Sequence, residues 1–298
     1  MAYKPRIISY YSSSEPGRGE VIEYLVHHVT EMLSLVDKGS KTICYGERLY
    51  NNYKELLRRK DKDVLIEYGY DDIVYTAIVF HDTGKALYQH RVKNAMKYKG
   101  YVSFAGHEAF SALLLEEIMV KLSSMDPVRH FVEALTPAIF AILYHHHSLV
   151  LDKRIKKLEH TIKEIDDKTI TSITDMIKND LEIIKHKNKL IETILDNIEE
   201  PIRKTIEKLQ HSTSYTVKEL DEKLKRTIAS GTKENILLKK LMYLTLTTLI
   251  TLDYEAAKKI RSGTPTTFGE MCEEWLNHYI RQKLKTNTTK NLHIATNQ

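Results

Sequence analysis

The amino-acid sequence predicts a nearly all-α protein, and three observations carry that reading. Apolar residues recur at helical spacing along most of the 298 residues. Runs with the period-two alternation of a strand are scarce. Asp, Pro and Gly stand where the periodic runs begin and end. A composition 42% hydrophobic and 29% charged supports a large core, or one core with an appendage.

The elements follow in chain order. Ile22, Leu25, Val26, Val29, Met32, Leu33 and Val36 repeat with helical period, and the run closes at "DKGS". "YDDIVYTAIVFHD" opens with aspartates suited to an N-cap and predicts a second, more buried helix that "TGK" interrupts. "AGHEAFSALLLEEIMVKL" and "DPVRHFVEALTPAIFAILYHHH" read as two more, with Pro127 suited to a helix start and Pro137 to a kink. From "ENILLKKLMYL" to "DYEAAKKIR" the chain is helical again, although threonines at 245, 247, 248 and 251 would also suit a strand.

Residues 151–235 change character. They are rich in Lys, Glu, Asp and Ile, with Ile155, Leu158, Ile162 and Ile165 forming a narrow apolar stripe. Pro201 opens a helix within the segment, and "ASGTKEN" ends it. The expected organisation is a core from 1–150 and 236–281, an inserted charged helical hairpin or small bundle projecting from it at 151–235, and a polar tail at 282–298.

A net charge of +5 permits contact with a polyanion without demonstrating one. Two cysteines, Cys44 and Cys272, make neither a disulfide framework nor a CxxC knuckle, which fits a reducing compartment. The N-terminus lacks a signal-peptide pattern, and the most apolar window, "LMYLTLTTLITL", is short for a membrane span and ends at Asp253. The expectation is a soluble, cytoplasmic protein.

Histidines and aspartates gather at the ends or flanks of these apolar helices: His28, His81 with Asp82, His107, the run His145 to His147, and Asp253. Each alone has a plain structural explanation. His28 flanks the apolar face of its helix, and His81 suits a helix C-terminus. Three consecutive imidazoles fan over most of a turn, so at least one faces the core; His145 and His146 are the favoured pair. Asp253 ends an apolar run and is costly to bury without a cation.

In order these residues spell H, HD, H, HH, D, which resembles the HD phosphohydrolase superfamily, an all-helical fold holding one or two divalent ions. "HDTGK", "GHEAFSA", "AILYHHH" and "LDYEAAKKIR" look most like the stand-alone HD nuclease of type I CRISPR interference. The likeness covers 7–150 and 236–262 and leaves 151–235 unmatched. The GYP signature of the cyclic dinucleotide branch is missing after the histidines, where "HHHSLVLDKR" stands, and the third histidine leaves the ligand register open by one.

The resemblance implies an endonuclease or exonuclease acting on single-stranded DNA, with a separate helicase subunit and an RNA-guided surveillance complex as partners. The alternative is a nucleotide or cyclic nucleotide phosphohydrolase of the same superfamily; a binding module with a degenerate metal site is a third reading. The implied ligand set is His81, Asp253 and His28 on one ion, His107, His145 and His146 on the other, and Asp82 bridging them. Lys85 would contact a scissile phosphate or a carboxylate standing behind the ligands. Imidazole-rich donors favour Mn, Fe, Co, Ni or Zn, whereas Mg prefers oxygen, so Mn is expected to serve at least as well as Mg. "YQHRVKNAMKYKGY" offers Arg91, Lys93, Lys97 and Lys99 for phosphates and Tyr88, Tyr98 and Tyr101 for stacking on bases.

Overall fold

The computed structural model describes residues 6–15, 19–60, 68–98, 102–125, 131–146, 151–185, 188–259 and 266–281. The chain is helical nearly throughout, with one two-stranded sheet among the described residues. Strand β1 (Ile8–Glu15) pairs antiparallel with β2 (Gly19–Tyr24), placing Tyr11 opposite Ile22 and Ser12 opposite Val21. The helix read from Ile22 therefore begins later, as α1 (Leu25–Leu35). Val21 and Ile22 are β-branched and gain cross-strand partners in the hairpin, which helical periodicity within one segment does not register.

Next come α2 (Lys41–Lys60), which the sequence pattern did not flag, and α3 (Tyr70–Phe80). The aspartates of α3 lie within its first turn: Gly69 is the N-cap, and Asp72 accepts the Gly69 N–H at 2.8 Å. A 3-10 helix at Thr83–Tyr88 leads into α4 (Gln89–Tyr98), then α5 (His107–Met125) and α6 (Phe131–Tyr144). Pro137 lies inside α6; Pro127 lies outside the described residues.

The inserted segment forms α7 (Leu151–Ile162), α8 (Asp167–Glu182), α9 (Lys189–Leu195) and α10 (Glu199–Ala229), with Pro201 in the first turn of α10. It does not project. Ile155, Leu158, Ile162 and Ile165 are buried and join the same hydrophobic cluster as α3, α5 and α6. The narrow stripe marks an interface with the core, and most of the charged remainder faces water, with Asp180 and Asp221 as buried exceptions.

The long helix α11 (Lys233–Lys258) is followed by α12 (Thr267–Trp275) and a short π-helical turn at Leu276–Ile280. Leu241, Met242, Leu249 and Leu252 of α11 are fully buried, and the helix packs on α1, α2, α3 and α6. Its threonines stay helical because their hydroxyls find partners: Thr248 donates to the Leu244 carbonyl at 2.7 Å, and Thr245 meets the Tyr70 hydroxyl at 3.2 Å. Among the described residues, α11 is the one helix long and apolar enough to cross a membrane, and 44% of its most apolar window is buried inside the fold. The tail at 282–298 lies outside the described residues.

Asp180 of α8 ties the start of the hairpin to the inserted helices, its Oδ2 accepting the Ile7 N–H at 3.0 Å while Oδ1 has no partner. Burial pushes its carboxyl up to about 6, against the pull of the Ile7 N–H and Arg6. A folded-state value above the unfolded one means that the fold holds the proton more tightly. The associated stability is present at acid pH and is lost as pH rises from about 4 through about 6. Asp180→Asn, neutral throughout, should therefore gain on the wild type by on the order of 2 kcal/mol between pH 4 and pH 8. Urea unfolding at the two pH values reads that difference directly.

Candidate metal centre

Helix ends build the centre. His81 follows α3 and His145 follows α6, where the last carbonyls of each helix lack an intrahelical N–H. In both cases the imidazole Nδ1–H supplies one: His81 donates to the Ile78 carbonyl at 2.7 Å and His145 to the Ile142 carbonyl at 2.7 Å. His107, at the start of α5, donates to the Phe104 carbonyl at 2.6 Å. A carbonyl only accepts, so Nδ1 carries a proton in all three rings and Nε2 is the nitrogen turned away from the backbone, where a ligand atom is needed.

Those three Nε2 atoms are buried without a hydrogen-bond partner, as is Oδ1 of Asp82. Buried acceptors without donors are costly unless a cation takes their place. They also point at one another. His107 Nε2 lies 2.8 Å from Asp82 Oδ1 without hydrogen-bond alignment, and His81 Nε2 lies 3.4 Å from Asp82 Oδ2. Asp82, His107, His145 and His146 offer donor atoms all within 4.8 Å of one another, and so do His28, His81 and Asp82. Asp82 belongs to both groups. The donor set fits one or two divalent ions with mixed nitrogen and oxygen ligands.

His28 is held differently. Its Nδ1 meets Glu23 at 2.9 Å and its Nε2 meets Asp253 at 3.0 Å. Burial favours the neutral ring, but hydrogen bonds to Asp253 and Glu23 outweigh it and raise the imidazole to about 9. Glu23 stands behind His28 as an orienting carboxylate stands behind a metal-bound histidine. Glu23 carries no signal in the sequence, where it falls within the helix predicted from Ile22; its place beside His28 follows from its position in β2 just ahead of α1.

Electrostatics favour neutral rings at His145 and His146 and charged carboxylates at Asp82 and Asp253. Burial, with repulsion from His81 and His107, lowers His145 to about 4; burial beside His145 lowers His146 as well. Burial would raise Asp82, but His81 and Lys85 hold it well below the usual carboxylate range. Asp253 is likewise held low by His28 against its burial. Asp253, on α11, has a side chain 20% exposed and lies 3.9 Å from His81 Nε2, at the edge of the cluster.

Two glycine and serine contacts set the approach of the 3-10 helix to α5. A Cβ on Gly84 would collide with the His107 carbonyl oxygen, so glycine alone lets the two ligand-bearing segments meet there. Ser111 accepts the Gly84 N–H at 2.9 Å. Lys85 is nearly buried, and its Nζ is 2.5 Å from Asp82 Oδ2, so in this structure it contacts a carboxylate of the donor set itself and not one standing behind it.

The basic segment is less uniform than its sequence suggests. Arg91 pairs with Glu164 at 2.9 Å, and Lys97 lies over the Tyr98 ring at 5.2 Å. Lys93 faces out beside a groove, whereas Lys99 and Tyr101 lie outside the described residues. Tyr88 is fully buried and donates to the Ala105 carbonyl at 2.7 Å, so it has no free face for a base. The stacking role expected of Tyr88 is therefore wrong. It is a core residue because the 3-10 helix turns it inward. His147 also lies outside the described residues; His145 and His146 are the two of the run that join the cluster.

Metal content tests the arrangement. Asp82→Ala should lose bound Mn together with any hydrolysis, since both donor groups share that carboxylate; full retention of either would remove Asp82 from the centre. Gly84→Ala should displace the His107 turn and weaken Mn binding about tenfold or more, the usual scale for a disturbed ligand support. Elemental analysis and a Mn titration check both.

Residues 55–171 match the model described as HD domain. The match contains His81, Asp82, His107, His145 and His146, runs past residue 150 through α7 into α8, and leaves His28 and Asp253 outside it. Neither a curated protein nor a solved structure matches the chain. The helical fold and its buried histidine and aspartate clusters agree with that domain, whose members bind divalent metals. Residues 55–171 thus form a match to an HD domain, which supports a relation to the HD superfamily and suggests metal-dependent phosphohydrolase chemistry.

Proposed function

We propose that the protein is a metal-dependent nuclease that cuts single-stranded DNA exposed by a separate helicase subunit and an RNA-guided complex, in the cytoplasm, as the HD nuclease of type I CRISPR interference does. The observation that carries the phosphodiester chemistry is the pair of donor groups sharing Asp82. The motifs "HDTGK", "GHEAFSA" and "LDYEAAKKIR" support the nuclease branch.

Bound divalent ions supply Lewis-acid activation of water and neutralise charge on the phosphate. The protein does the rest. Asp82 would be shared between two ions, His81, His28 and Asp253 would hold one of them, and His107, His145 and His146 would hold the other. Lys85 balances the Asp82 charge at 2.5 Å. Glu23 fixes the orientation of His28 through its Nδ1 contact. The donors lie deep, with His81, Asp82, His107 and His145 all buried, so a flexible single strand reaches them more readily than a stiff duplex.

A groove beside the 3-10 helix, lined by Asp166 as well as by cations and by none of the metal ligands, offers one surface for a strand. Its cavity of ≈ 570 Å3 has Ile8, Leu87 and Ile173 on its walls and Arg6, Lys93 and Lys168 among its polar lining. Apolar walls suit bases, and the cations suit phosphates.

The recessed centre also admits a free nucleotide, which keeps a nucleotide phosphohydrolase as the second reading. Incubation with a labelled single-stranded oligonucleotide or a nucleotide panel separates the two. The oligonucleotide should be cut, with Mn supporting activity at least equal to Mg; activity with Mg and silence with Mn would contradict the imidazole-rich assignment.

Alanine at Arg91, Lys93, Lys97 and Lys99 should weaken oligonucleotide binding and flatten its salt dependence, by about 0.7 in log–log slope for each phosphate no longer neutralised. Arg91 should contribute least, being already paired with Glu164. Unchanged affinity in the fourfold variant would dispose of this surface.

A further inference from the structure

We propose that the inserted helices position the metal ligands: Arg154 of α7, acting through Glu108, and Asp221 of α10, acting through Tyr144, hold the half of the centre formed by His107, His145 and His146. The inference rests on the metal-centre reading and not on the identity of the substrate.

Glu108 follows His107 directly and is buried. A carboxylate there needs a partner, and Arg154 provides a bidentate one: its Nε donates to Glu108 Oε1 and its Nη2 donates to Oε2 at 2.7 Å. Oε2 then has a second task. It accepts the Gly106 N–H at 3.1 Å and lies 3.5 Å from His107 Nδ1, the nitrogen that donates to the Phe104 carbonyl. The Arg154 and Glu108 pair thereby pins the turn that aims the His107 ring.

Backbone geometry makes the coupling tight. Gly106 has φ +99°, a left-handed conformation that favours glycine, and a Cβ there would lie 2.8 Å from the Arg154 carbonyl oxygen and 2.8 Å from Leu158 Cβ. Helix α7 therefore rests directly on the ligand turn, and a displacement of one moves the other.

The second contact repeats the arrangement on a different ligand. Tyr144 is the last residue of α6, immediately before His145, and its hydroxyl donates to Asp221 Oδ1. Lys225 donates to the other oxygen, Asp221 Oδ2, at 2.6 Å. Tyr144 and Asp221 are both buried. Two polar contacts from one inserted segment thus land one residue away from two ligands. Apolar side chains would pack those positions about as stably. They would not hold the Gly106 N–H or fix the Tyr144 hydroxyl.

The test uses the full chain, stripped of metal and titrated with Mn(II), with free ion read by electron paramagnetic resonance and the melting temperature recorded alongside. Arg154→Met should weaken Mn binding about tenfold or more, and Arg154→Lys should recover part of the loss. Tyr144→Phe, which removes only the hydroxyl, should also weaken binding while remaining folded. Histidine 15N spectra of the metal-free protein supply a readout that general destabilisation does not move. Arg154→Met should lose the fixed Nδ1–H form at His107 and keep it at His81.

A folded Arg154→Met that titrates like wild type and keeps the His107 signal overturns the proposal. If that variant does not fold, Arg154→Lys and Tyr144→Phe decide, and wild-type Mn affinity in both overturns it equally. Normal Mn uptake by a wild type that leaves single-stranded DNA intact would count against the nuclease reading alone.

Discussion

The candidate metal centre depends on hydrogen bonds from imidazole Nδ1–H groups to backbone carbonyls three residues earlier, made by His81, His107 and His145. Each bond decides which nitrogen carries the proton and where the other lone pair points. At His81 and His145 the acceptor exists because a helix has just ended and left carbonyls without partners. The fold thus turns an obligatory feature of helix termini into ligand orientation. Helices α3 and α6 pack side by side in the core, which brings their two ends, and the two rings, to a centroid separation of 5.3 Å.

Charge constrains the centre as strongly as geometry. Asp82, Asp253 and Glu23 bring three carboxylates into a region with little water, and unpaired they would be too costly to keep ionised. His28 between Glu23 and Asp253, and Lys85 on Asp82, answer part of that demand. The unpartnered Nε2 atoms and Asp82 Oδ1 represent the remainder, which divalent cations are suited to meet.

The segment at 151–235 shows how a sequence can announce an element and hide its place. Its apolar stripe was legible and marked a buried face, but a stripe does not name the surface that it covers. A projecting bundle and a wrapped one have the same periodicity. Only the fold shows Ile155 and Leu158 in the main cluster and Arg154 of the same helix turned onto Glu108. Glu23 was equally silent, since its significance depends on β2 folding back beside α1. The hairpin itself was lost among helical signals because strand pairing is a contact between segments and leaves only a weak trace in each.

By itself, the sequence determined the helical class, most helix positions and the residue types of the centre, because periodicity, caps and chemical identity are local properties. His28, His81, Asp82, His107, His145, His146 and Asp253 could all be named from it. Tertiary structure decided that these side chains lie near one another, that Tyr88 is core and Arg91 is paired, and that α7 packs against the turn before His107. Those are relations between residues as far apart as His28 and Asp253, which meet at 3.0 Å, and helix packing brings them together where no local pattern can.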